Sequence, residues 1–147
     1  MKKYFITACV YMGIGLALGV FFREFTKYYG FDGSSALGKL HLHALVLGMM
    51  FFIIAALTQD KLDLRKSKLE RWFYILYNVG LGLTLCMLLV RGIIQVSGAN
   101  ASSGAISGVA GIGHIILASG LILFFVIVLK SLKSVKKTET LQKDHVE

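Results

Sequence analysis

Two histidines, His41 and His43, open the apolar run HLHALVLGMMFF (residues 41–52), and a third, His114, sits inside SGVAGIGHIILASG (residues 107–120). An ionisable side chain in a lipid-compatible stretch is costly, and it usually faces the protein interior or a cavity. Neutral imidazole is the cheaper form in an apolar medium, and it is also the form that ligates metals. The chemistry on offer is therefore metal coordination. The structural alternative is a set of buried, hydrogen-bonded histidines that tie helices together.

The elements that must position these rings are four apolar runs: about 4–22, 40–57, 72–90 and 105–129 of 147 residues. Each is near the ~20 helical residues needed to cross a bilayer. The chain is 56% hydrophobic and contains no proline; its mean hydropathy is +0.71. The polar faces that a soluble bundle needs every 3.6 residues are missing. The expected fold is all-α: one integral membrane four-helix bundle over 1–130, followed by a basic tail at 131–147. Of 16 Lys and Arg, twelve fall at the termini and in the loop 58–71, whereas only Arg23, Lys27, Lys39 and Arg91 fall on the other side. By the positive-inside rule both termini are expected to be cytoplasmic, in a bacterial plasma membrane. The excess of basic charge then reflects topology and anionic lipid, not nucleic acid. Cys9 and Cys86 read as small packing residues at different depths, too far apart for a disulfide. Trp72, Tyr74 and Tyr77 read as an inner aromatic belt. His145, in the tail, is given no role.

Height and direction sharpen the reading of the histidines. His43 precedes Leu57 by 14 residues and His114 precedes Leu129 by 15, so both lie ~21–23 Å above the inner boundary, with His41 only ~3 Å higher. Positions two apart on a helix point about 200° from each other. His41 thus shares a face with Ala44, Leu45, Gly48, Phe52 and Ala55, a packing face. His43 shares a bulky face with Val46, Leu47, Met50 and Ile54. His114 stands among Ala110, Gly111 and Ala118, which leave room for a flat group. Zinc and copper sites gather three or four close ligands, often with cysteine or carboxylate, and no Asp or Glu lies in this layer. Heme needs one or two axial histidines and an apolar slot, and its propionates suit the nearby cations Arg23 and Arg91. Heme b held by members of the set His41, His43 and His114 is the expected cofactor.

The stretch 41–52 resembles the histidine-bearing helices of the heme–copper oxidase catalytic subunit. That family has an H-x-H helix whose two histidines serve two hemes on opposite sides, and an "HA…FF" helix with a single low-spin heme ligand. His41-x-His43 is similar to the first; His43-Ala44 with Phe51-Phe52 is similar to the second. The chain also resembles a group of small four-helix bacterial membrane proteins of undefined function. The oxidase resemblance implies one of three four-helix arcs, with metal ligands on its second helix. The family's copper-site histidine cluster, its Tyr–His crosslink motif and a buried acid for proton transfer are missing, so no oxygen reduction is implied. Three copies in a ring would put His43 of one chain opposite His41 of the next across a heme. The competing arrangement pairs His43 with His114 inside one chain.

The function expected is a small b-type membrane cytochrome with two axial histidines, passing electrons to or from quinol or an extracytoplasmic redox protein. Two alternatives stay open. One is a five-coordinate heme sensor of gas or redox state. The other is a non-redox accessory or copper-handling subunit, to which Met12, Met49, Met50 and Met87 would contribute.

Overall fold

The computed structural model describes residues 2–62, 69–99 and 103–144, with side chains described through residue 135. Arg65, Lys66, Lys68 and His145 lie outside the described residues. Four helices follow in order: α1 Lys2–Tyr28, α2 Ala36–Leu62, α3 Leu69–Ser97 and α4 Ser103–Asp144. All four are long and apolar enough to cross a membrane. Each apolar run is the middle of a longer helix. The segment after Phe22 contains no helix breaker, and the Thr26 hydroxyl returns to the carbonyls of Phe22 and Arg23. α1 stops at Gly30, whose φ is 59°. The Gly30 N–H bonds to the Lys27 carbonyl and the Phe31 N–H to that of Thr26. This left-handed glycine cap satisfies carbonyls that the helix end leaves open. α4 likewise runs beyond its apolar part, so the basic segment up to Asp144 continues the helix.

α2 has a feature that its periodicity does not announce. It is α-helical over Ala36–His43, π-helical over Ala44–Met50 and α-helical again over Phe51–Leu62. The wider turn begins directly after His43, so it sets the direction of the histidine-bearing turn relative to the inner half. Such segments are rare and recur at functional sites.

Close helix approach relies on missing side chains, because apolar attraction between helices is weak in lipid. α3 and α4 meet where a Cβ on Gly80 would collide with the backbone of Ile116 and Leu117. A Cβ on Gly120 would come within 2.8 Å of the Tyr77 backbone. α2 lies against α1 through Gly48, which receives the Tyr11 ring, and against α3 through Gly92, which receives Leu37. Its N-terminal end is tied to α3 by the Ala36 N–H, which donates to Gln95 Oε1 at 2.8 Å. An aromatic core joins α2, α3 and α4: Phe51 stacks on Tyr77 at 4.1 Å and meets Phe124 edge-on at 5.1 Å.

Two sequence readings are corrected here. Tyr77 is buried and Tyr74 half-buried; both hydroxyls bond to other helices, so only Trp72, 60% exposed, has the exposure of a belt residue. Cys9 and Cys86 are free thiols on the outer surface of the bundle and not packed inside it.

Gly80→Ala is expected to destabilise the purified protein by about 1–3 kcal/mol, the usual range for overpacking a tight contact. Gly82→Ala, whose Cβ would meet nothing within 4 Å, is expected to be close to neutral. Thermal unfolding in detergent, followed by circular dichroism, compares the two.

Candidate functional site: the histidine layer

His43 and His114 are held by the same device. His43 Nδ1 lies 2.9 Å from the Lys39 carbonyl oxygen, and His114 Nδ1 lies 2.8 Å from that of Ala110. A carbonyl only accepts, so Nδ1 carries the hydrogen in both rings. In a neutral imidazole the lone pair then stays on Nε2. Each ring is thereby fixed in one tautomer by a partner on its own helix, the second-shell arrangement that orients metal-binding histidines. His43 is half-buried and His114 is exposed.

Their heights can be compared through one residue. Tyr77 of α3 meets Gly120 of α4 at its backbone, and its hydroxyl donates to the Leu47 carbonyl of α2 at 2.9 Å. His43 lies four residues from Leu47 and His114 six from Gly120, both toward the same end of the bundle. The two histidines therefore lie on the same side of the Tyr77 contacts, toward the same end of the bundle. On the far side of those contacts, α2 and α4 meet at the Phe51–Phe124 contact. Toward the other end, residues Ala36–His43 of α2 pack chiefly on α1 and α3, so the two histidine-bearing helices part away from the chain termini. Of the residues one turn from His114, Ala110, Gly111 and Ala118 are small, and Leu117 is turned into the core. A Cβ on Gly111 would meet nothing within 4 Å.

His41 is placed differently. It occupies the seam between α1 and α2, its ring 6.4 Å from that of Phe22 and nearly parallel to it (18°). Its atoms lie 3.9 Å from where a Gly19 Cβ would be. Nδ1 is buried and has no hydrogen-bond partner among the described residues. The structure thus separates the two histidines of the H-x-H pair, as their spacing requires, and brings neither of them into a cluster. Among the described residues, no three of His, Cys, Asp and Glu gather closely enough to hold an ion.

Of the cations, Arg23 is 81% exposed and 3.7 Å from Glu24. Arg91 is exposed and sits within α3, not at its end. Thr84 lies against the Gly113 position of α4. Arg91, seven residues further along, is on the same side of α3 and ~10 Å higher. It therefore stands above the His114 layer, on the α4 side.

The sequence reading missed a polar ladder between α1 and α3. Glu70 accepts from Lys3 Nζ at 2.7 Å and from the Tyr4 hydroxyl at 2.6 Å. The Thr7 and Tyr74 hydroxyls are 2.8 Å apart, and the Tyr11 hydroxyl donates to Asn78 Oδ1 at 3.0 Å. The signal was present: polar groups at 4, 7 and 11 of one helix and at 70, 74 and 78 of another share one face each.

Replacing His41 by phenylalanine removes a buried, unpartnered nitrogen and leaves a ring to stack on Phe22. Its expected stability cost is below ~1 kcal/mol, with a gain allowed, because an unsatisfied buried polar atom is itself destabilising. A loss above ~2 kcal/mol in thermal unfolding would reveal a partner for Nδ1.

The chain belongs to the DUF2871 family of proteins of unknown function, whose pattern matches residues 1–131. No curated protein matches the chain, and neither does any solved structure.

Proposed function

We propose that the protein is a small membrane cytochrome that binds heme b through Nε2 of His43 and of His114. The observation that carries this reading is the shared Nδ1 anchor, which leaves an unprotonated nitrogen on each of two helices toward the same end of the bundle. The surroundings fit the group. Ala110, Gly111 and Ala118 leave space beside His114, and Ile115, 68% exposed, adds apolar surface next to it. The face of His43 continues into Val46, Met50 and Ile54, each at least 50% exposed, which suits an apolar macrocycle. Arg91, above the layer, is the cation best placed for a propionate, with Arg23 a second.

A heme b with two imidazole ligands supplies one-electron transfer and leaves iron no open position for oxygen. The chain's own task is then positional. The Lys39 and Ala110 carbonyls fix the two tautomers. Tyr77 and the π-helical segment set the height and direction of the rings. Pairing His43 with His41 of a neighbouring copy in a trimeric ring is the weaker arrangement, because His41 is committed to the α1–α2 seam. A homotrimer remains part of the proposal only as an assembly of such units.

Four spans and the twelve-to-four distribution of basic residues support a bacterial plasma membrane location with both termini cytoplasmic. The histidine layer then lies in the outer half, within reach of quinol or an extracytoplasmic redox protein.

Protein purified in detergent and supplied with heme b is expected to give a low-spin reduced spectrum that carbon monoxide does not shift. His43→Ala and His114→Ala are each expected to lose heme or to become high-spin and carbon monoxide-reactive, whereas His41→Ala keeps the low-spin spectrum. A colourless wild-type protein, or spectra indifferent to both His43 and His114, ends the proposal. A wild-type spectrum that does respond to carbon monoxide favours the five-coordinate sensor.

A further inference from the structure

The other face of the bundle carries an apolar groove of about 570 Å³ between α1 and α3, within the usual ~300–1,000 Å³ of small-molecule sites. Its walls are Ile14, Leu18, Leu85 and Leu89, and its floor is the upper part of the polar ladder: Thr7, Tyr11, Tyr74 and Asn78. Gly82 lines it, and a Cβ there would meet nothing within 4 Å. The groove is thus open partly because this one side chain is missing.

The floor has hydrogen-bonding capacity left over. The Thr7 hydroxyl spends its hydrogen on the Lys3 carbonyl, so in the Thr7–Tyr74 pair Tyr74 is the donor. Tyr11 donates to Asn78 Oδ1, and Asn78 Nδ2 donates one hydrogen to the Tyr74 carbonyl. Among the described residues this leaves one Asn78 N–H as a donor and the Tyr11 and Tyr74 oxygens as acceptors. Asn78 lies six residues beyond the belt residue Trp72, ~9 Å along the axis, past the interface where a phospholipid headgroup stays. Unpaired polar groups at such a depth are costly.

From this pairing of a donor and acceptors beneath an apolar trough we infer that the groove binds a prenylated quinone. The ring oxygen accepts from Asn78 as a carbonyl, or donates to a tyrosine oxygen as a hydroxyl. The isoprenoid tail lies along the leucines and leaves toward the bilayer. An acyl chain would leave the floor unpaired. The inference uses none of the three histidines, so it stands or falls apart from the cytochrome reading.

The test is photolabelling in phosphatidylcholine nanodiscs with an azido derivative of ubiquinone-2, repeated in the His43→Ala/His114→Ala double variant, which cannot hold an axial pair. Expected are adducts confined to residues 6–18 and 74–89, reduced at least tenfold by excess unlabelled ubiquinone-2. Gly82→Phe, which fills the trough, and Asn78→Leu, which removes the donor, should each lower labelling at least tenfold, with thermal unfolding checking that both variants fold. Labelling spread over all four helices, or unchanged in both variants, overturns the inference. So does equal competition by squalene, which would assign the groove to apolar chains. A change of oligomeric state in Gly82→Phe with labelling unaltered also overturns it and makes the groove a seat for a second copy.

Discussion

A polar group in hydrocarbon must find its partner inside the protein, and this constraint decides where nearly every polar side chain of the bundle points. The commonest solution is a return to the carbonyl four residues earlier on the same helix. Thr7, Thr26, Thr58, Thr84 and Ser119 all do this, and Asn78 does it with its amide. The second solution is a bond across a helix interface: the ladder from Glu70 to Asn78, and Tyr77 to the Leu47 carbonyl. The two solutions have different consequences. The first satisfies a residue without fixing where its helix lies. The second fixes spacing and height, and α3 carries its partners toward both α1 and α2.

α3 is accordingly the strut of the fold. Toward α4 it presents glycine and lets backbones touch at Gly80. Toward α1 it presents polar groups that hold the helices by side chains, with little direct backbone approach. The close seam and the bridged seam differ in what they leave open. Where Gly80 meets Leu117 nothing else fits. Where the ladder holds α1 and α3 apart, the groove remains above it.

The four helices were legible as apolar runs because desolvation acts on every residue of a span, and no proline interrupts the pattern. Helix ends were not legible. Arg23, Glu24 and Lys27 look like loop on a hydropathy scale, yet they extend α1 to the cap at Gly30. Spacing alone sent His41 and His43 in opposite directions, because 100° per residue is a property of the backbone. It could not reveal the Nδ1 anchors, which depend on rotamer, or the π-helical turn, which coincides with Tyr11 entering at Gly48 and Tyr77 reaching Leu47. Tyr74 and Tyr77 misled for a related reason: an amphipathic ring suits the interface and also suits a cross-helix bond, and only the position of Thr7 and Leu47 on other helices decides between the two.

The same return bond has a different result in histidine than in threonine. A threonine hydroxyl that gives its hydrogen to the i−4 carbonyl has used its only donor, and its remaining lone pairs are tolerable. An imidazole that does so leaves Nε2 bare, a strong acceptor aimed away from the helix. His43 and His114 both end in that state, on surfaces otherwise made of leucine, isoleucine, valine and small residues. If concealment were the whole purpose, threonine or serine would serve better at both positions, as Ser119 does one and a half turns below His114. The bare nitrogens make physical sense when something takes their lone pairs. A bare imidazole nitrogen is satisfied either by a hydrogen-bond donor or by an acceptor of electron pairs, and the heme iron proposed above is a group of the second kind.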